Sequence, residues 1–287
     1  MGSQAHAPTL RSVSDSLALQ IRAETPGEVR AGMYDLGGRA VILIRADSPE
    51  RKGALTPEDG DTMVRAMEMG LEKRLPVVIL LASSGADAHH GVTALDGWGR
   101  AARALTRCSG VVPVLAGVTG PAVSGSALLI GLADITVMAE DSYAFVSGPI
   151  PVREMTGVRV GNSELGGADV HHRSTGAAHI VTTTDDVLPA LAEVLRFLPS
   201  HNDDLPPLTP TADPCDRLTP EAGDVLPSLA TGSYDVRDVV NAITDDGDFL
   251  ELRSGWAPNL VTGFACIGGR PVGIVANQPI AIAGTLD

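Results

Sequence analysis

Two stretches of this chain are near copies of each other: GMYDLGGRAVILIRA at Gly32–Ala46 and GFACIGGRPVGIVAN at Gly263–Asn277. Each opens on glycine, places Gly-Gly-Arg at the same offset and follows it with an apolar run. Two β-rich runs around residues that tolerate positive φ predict a hairpin. The first hairpin turns at Gly37-Gly38, and the second copy reads as the same unit started again near the C-terminal end of the sequence.

Between the copies, strand and helix signals alternate. Thr56 as N-cap, Pro57 at the first helical position and Asp59 in the capping-box position predict a helix running to about Arg74. PVVILLASS (Pro76–Ser84) and VVPVLAGVTG (Val111–Gly120) are short continuous apolar runs, the pattern of strands covered on both faces. A helix within LDGWGRAARALTRCSG, closed by Gly110, separates them. PAVSGSALLIGLAD then reads as a turn entering a small-residue helix, and ITVMAED as a further strand. This alternation predicts a layered α/β fold with a parallel, helix-covered sheet. The pattern lapses between Pro199 and Asp235, a proline-rich acidic surface excursion, before VRDVVNAITDDGDFLELRSG restores a helix and a strand. Residues 1–25 carry no period and are expected to form a mobile arm.

With 287 residues and 44% hydrophobic content, the chain can bury a large core. Its formal net charge of −14 repels phosphate backbones and anionic lipid, which argues against nucleic-acid and membrane-surface roles. Cys108, Cys215 and Cys266 are widely spaced and form no Cys-x-x-Cys pair, which points to a reducing compartment and excludes a zinc ribbon. No apolar run reaches the roughly 18 residues of a membrane span, and no signal-peptide pattern opens the sequence. The expected location is cytoplasmic.

The candidate chemistry lies in three turns. In VTGPAVSGSALLIGLAD a buried strand runs out through Ser124, Gly125 and Ser126 into a helix. Such a turn aims backbone N–H groups at a developing oxyanion, or simply lets helix and sheet pack closely. LLASSGADAHHGV leaves a second buried strand through small residues, and ligands of α/β sheets favour the carboxyl ends of strands. In ERKGAL, Arg51 and Lys52 precede a helix N-terminus, a place for a phosphate or a merely solvated basic turn. His89-His90 and His171-His172 lack a metal-binding spacing, so no metal is expected. There is no G-x-S-x-G, P-loop or G-x-G-x-x-G motif.

The segments KGALTPEDG, SSGADAHHGV, SGVVPVLAGVTGP, AVSGSA, SELGGADVHHRSTGAAH, DDGDFLEL and GRPVGIVANQP, in this order from about Val29 onward, resemble the carboxyltransferase (β) subunits of biotin-dependent acyl-CoA carboxylases. The resemblance implies a crotonase-like fold of stacked ββα units in two halves, each opened by the repeated hairpin. Residues 1–258 would be the N-terminal, acyl-CoA-holding half. Residues 259–287 would begin a C-terminal half that is mostly absent.

It also implies carboxyl transfer from carboxybiotin carried on a partner protein to an acyl-CoA, whose enolate is held by backbone N–H groups of Ser124 and Gly125. Arg51, Lys52, Gly53, Ala54, Ser84, Gly85, Ala86, Gly120, Pro121 and Ser126 would border the substrate. The implied partners are a C-terminal carboxyltransferase half and biotin carboxylase and biotin carrier subunits, within a hexamer. The sequence departs from the family pattern in three places. Ser124-Gly125 stands for Gly-Gly, Asp87 for an arginine, and His90 for a common glutamate. Two alternatives stay open: the β subunit of a biotin-independent malonate decarboxylase, and a non-catalytic structural or regulatory subunit.

Overall fold

The computed structural model describes residues 11–12, 21, 27–229 and 232–286. Apart from Arg11–Ser12 (β1), which pairs with the next strand, and the buried Ile21, the expected N-terminal arm lies outside the described residues.

The first hairpin forms where expected. β2 (Arg30–Leu36) and β3 (Arg39–Ala46) pair antiparallel from Arg30↔Arg45 to Leu36↔Arg39, with Gly37 and Gly38 both at positive φ. β3 then pairs in parallel with β4 (Val77–Ser83), β4 with β5 (Val114–Val123), β5 with β6 (Ile135–Ala139), and β6 with β8 (Ile180–Thr182). The order in the eight-stranded sheet is β1-β2-β3-β4-β5-β6-β8, with β7 (Tyr143–Phe145) attached to the far end of β5.

Both faces are covered, which is why β4 is apolar without alternation. On one face, Ile42, Ile44, Ile79 and Val118 pack under α1 (Pro57–Lys73) and α2 (Val92–Cys108). On the other, Leu43, Val78, Leu80 and Leu115 meet Val187, Leu191, Val194 and Leu195 of α5 (Val187–Leu195). Asp186 at its N-cap makes no side-chain cap hydrogen bond, and Arg39 closes the other end from the hairpin by donating to the carbonyls of Leu195 (2.7 Å) and Leu198 (2.9 Å). The Thr56/Asp59 capping box of α1 is present as read, and the helix stops at Lys73 before a left-handed Arg74.

Strand β5 corrects one expectation. Residues 111–113 are a turn, and the strand continues through Pro121 to Val123, where a turn was expected. Pro121 is tolerated because β5 leaves β6 after Val118↔Met138 and pairs with β7 from Pro121↔Tyr143 onward, so the proline sits beyond the change of partner. After β5 come α3 (Gly125–Ile130), which the strand enters through Ser124, and α4 (Pro149–Thr156), which buries no residue.

After the irregular excursion, α6 (Val236–Ile243) leads to a three-stranded sheet of β9 (Phe249–Leu252), β10 (Leu260–Ile267) and β11 (Arg270–Asn277), in the order β11-β10-β9. Asp245 accepts hydrogen bonds from the N–H groups of Gly268 (2.8 Å) and Gly269 (2.7 Å) and so fixes the second hairpin turn. The expected boundary at residue 259 falls inside this sheet, because β9 pairs with β10 from Thr262↔Leu252 to Ala265↔Phe249. Phe264 of β10 stacks on Phe197 at 5.7 Å, tying the small sheet to the core beside α5.

Candidate active site

The carboxyl ends of β3, β4 and β5 each run into a turn, and hydrogen bonds fasten the three turns together. In the first, Arg51, Lys52 and Gly53 have φ of 46°, 55° and 66°. A Cβ on Gly53 would lie 2.1 Å from the Ala82 carbonyl oxygen, so this backbone passes β4 at a distance only glycine permits. Ser83 Oγ donates to the Gly53 carbonyl at 2.6 Å, and Ser84 N–H donates to the Lys52 carbonyl at 3.0 Å. Leu55 N–H donates to Gly85 O (2.8 Å), and Asp87 N–H donates to Leu55 O (2.9 Å). The walls expected from Gly53, Ala54, Ser84, Gly85 and Ala86 therefore adjoin.

The third turn touches the second. Gly85, at φ 107°, passes so close that a Cβ would lie 3.1 Å from Val123 O and 3.3 Å from Ser124 Cβ. Gly120 lies against Ala82, with Pro121 next along β5. Ser124 joins β5 to α3 at φ 63°, ψ −117°. Its N–H donates to the Phe145 carbonyl at 2.9 Å and is therefore committed within the fold. Gly125 is the first residue of α3, a position whose N–H has no acceptor in a preceding turn. It seats α3 on the Trp98 indole, with a Cβ at this position only 2.3 Å from Trp98 Cγ. Ser126, expected at the substrate, is fully buried, and its hydroxyl donates to Val123 O at 3.0 Å. Its side chain shapes the turn.

The left-handed conformation of Ser124 is one that side chains resist, at a cost of about 1–3 kcal/mol. Ser124→Gly is expected to raise stability by about 1 kcal/mol. Chemical denaturation checks this, and an unchanged midpoint would mean the turn is not strained.

Asp87 stands where the sequence raised a conflict of charge. It is 5% exposed, caps the short turn Ala88–His90 by accepting His89 N–H at 2.9 Å, and lies 3.4 Å from Arg51 and 3.5 Å from His90 Nδ1. The His89 N–H, followed by His90, His89 and Arg51, holds its carboxyl below the usual carboxylate range. Arg51 also reaches Glu28 at 3.6 Å. The ammonium of Lys52 sits on an exposed residue beside it.

The histidine pairs do other work. His171 Nε2 bonds the Ala144 carbonyl (2.8 Å), and His172 Nε2 accepts Gly255 N–H (3.1 Å), clamping the chain around β7 and β9. His179, not singled out by the sequence, accepts Thr136 N–H, and burial pushes its pKa down to about 4. Among the described residues no group of three His, Cys, Asp or Glu could hold a metal ion. None of their helices is long and apolar enough to cross a membrane. Two clefts flank the turns. One of about 260 Å³ is bordered by Glu28, Arg30 and Tyr34, and one of about 380 Å³ by Ala82, Thr119 and Asp185, with Arg45 and Asp47 paired between them at 2.7 Å.

Residues 15–287 match the carboxyl transferase domain model. The propionyl-CoA carboxylase carboxyltransferase subunit of Haloferax mediterranei is 36% identical over 265 residues, covering 91% of this chain and 51% of that protein. The methylmalonyl-CoA carboxyltransferase 12S subunit of Propionibacterium freudenreichii subsp. shermanii is 35% identical over 270 residues, covering 93% of this chain and 51% of that protein. The solved structure of transcarboxylase 12S, a hexamer assembly with methylmalonyl-coenzyme A and methylmalonic acid bound, superposes with a TM-score of 0.87 at 33% identity, covering 98% of this chain and 56% of that one. The layered α/β architecture is thus the crotonase-like one the motifs implied. The chain spans about half the length of the curated relatives it matches. With that span matched almost end to end, the chain belongs to the carboxyl transferase domain family.

Proposed function

We propose that this chain is the acyl-CoA-holding part of a carboxyltransferase of the biotin-dependent acyl-CoA carboxylase type. The observation that carries the reading is the convergence of the Gly53, Gly85 and Gly125 turns at the carboxyl ends of adjacent parallel strands. The thioester would run between the Gly53–Ala54 and Ser84–Ala86 walls, with Lys52 near its phosphates and its carbonyl oxygen at the Gly125 N–H. A single well-placed oxyanion donor contributes about 3–4 kcal/mol to such a step.

The α-proton must leave for the enolate to attack a carboxyl carbon, and the candidate side chains at these turns do not supply the base. Ser83 and Ser126 donate to backbone carbonyls, and Asp87 is capped and paired. This fits carboxybiotin as co-substrate on a partner protein, which brings both the carboxyl group and the base. The contribution of this chain is position and charge stabilisation. A C-type carboxyltransferase half would close the site from the other side, with biotin carboxylase and carrier subunits completing a cytoplasmic oligomer. Residues from about 259 onward, opening with the second hairpin, would belong to that second half.

Calorimetry with propionyl-CoA, on this chain alone and with a C-type half, tests the reading. Binding is expected in at least the combined sample. Absence of binding in both contradicts it, and preference for a malonyl thioester on a carrier protein would favour the decarboxylase alternative.

A further inference from the structure

Beside Lys52, Arg51 is the second basic residue at the Gly53 turn, and its guanidinium is already shared. It lies 3.4 Å from Asp87 and 3.6 Å from Glu28, both at the long end of ion-pair distances. The two carboxylates are held in place independently: Asp87 by the His89 N–H at 2.9 Å, Glu28 by the Ser48 hydroxyl at 3.0 Å. The backbone under Arg51 is also fixed, because the Lys52 and Gly53 carbonyls are bonded to Ser84 and Ser83. The Arg51 side chain is 42% exposed, between partners that are 27% and 6% exposed. It reaches both Glu28 and Asp87, and Glu28 also borders, with Ser48, Gly53 and Ala54, a crevice of only about 10 Å³.

We infer that Asp87 and Glu28 are specificity-determining residues that hold Arg51 between them, so that a phosphate of the thioester binds by taking the guanidinium from both carboxylates. The inference rests on the acyl-CoA reading above. A phosphate offers Arg51 two short, parallel, charge-assisted hydrogen bonds where the carboxylates offer two stretched contacts, so the exchange is favourable once a phosphate arrives. The carboxylates lower the net gain, because they give up their partner and stay negative beside a polyanionic ligand. The site thereby discriminates by phosphate.

The test is calorimetry with propionyl-CoA and its 3′-dephospho form, at low and raised salt, on the wild-type chain and on Asp87→Asn, Glu28→Gln, Arg51→Gln and the Asp87→Asn/Arg51→Gln double variant. Asp87→Asn is expected to tighten propionyl-CoA binding roughly fivefold, the scale of one partly exposed ion pair, and Glu28→Gln roughly twofold. Both gains should shrink at raised salt, and Arg51→Gln should abolish the gain from Asp87→Asn. A gain retained with the dephospho form assigns the contact to the diphosphate, and a gain lost assigns it to the 3′-phosphate. If Asp87→Asn fails to fold, Glu28→Gln carries the test alone. Wild-type binding with no tightening in either carboxylate variant overturns this inference and leaves the acyl-CoA reading standing. No binding by any protein in the set, alone or with a C-type half, overturns both.

Discussion

Gly125→Ala is expected to lower carboxyl transfer by about 10²-fold or more in a complex completed by a C-type half, the loss seen when one oxyanion donor is displaced. The added methyl group would lie 2.3 Å from Trp98 Cγ and 2.6 Å from Cδ2. Trp98 is 2% exposed within α2 and cannot retreat, so the first turn of α3 must lift, carrying the Gly125 N–H with it. Acyl-CoA binding should fall much less than turnover if, as proposed, the nucleotide end is met at the Arg51 turn. Shrinking the indole in a Gly125→Ala/Trp98→Leu double variant should recover part of the rate. Equal loss in the single and double variants would show that the indole contact is not what displaces the donor.

The largest stability loss is expected from Asp59→Ala, about 3 kcal/mol, read as a shift in the denaturation midpoint. The Asp59 carboxylate is fully buried and accepts the N–H of Val29 (2.8 Å), the N–H of Thr56 (2.8 Å) and the Thr56 hydroxyl (2.9 Å). Removing it leaves three buried donors without an acceptor, each costing about 1–3 kcal/mol before relaxation. The same substitution frees the start of α1 from the chain entering β2, and Thr56 lies two residues beyond Ala54. Weaker acyl-CoA binding should accompany the lost stability. A loss below about 0.5 kcal/mol, the ordinary effect of a surface change, would contradict the three-donor assignment.

The features legible in the sequence are those set by near neighbours. The Thr56/Asp59 box, the Gly37-Gly38 and Gly268-Gly269 turns and the doubly covered β4 all follow from residues within a few positions of each other. The turns at Gly85 and Gly125 are legible as small-residue exits from buried strands and the Gly53 turn as a basic turn before a helix, and the motif resemblance adds their order. What escaped depends on distant partners. The acceptor of the Ser124 N–H is Phe145, on a short strand with no periodic signal, so the sequence offered both Ser124 and Gly125 as donors where the fold commits the first. Arg51 and Asp87 lie 36 residues apart, so the guanidinium that composition marked as a phosphate site is shared with an acid no local pattern connects to it. Helix α5 lacks side-chain caps of its own and is closed by Arg39 from the first hairpin.

The central claim is that the Gly125 turn polarises a thioester carbonyl. Infrared difference spectroscopy of propionyl-CoA, labelled with ¹³C at the carbonyl and bound to the chain, measures that directly. A bound carbonyl stretch displaced to lower wavenumber in the wild type, and returned toward its free value in Gly125→Ala, is the predicted result. A bound thioester whose carbonyl band stays at the free position in the wild type would contradict it.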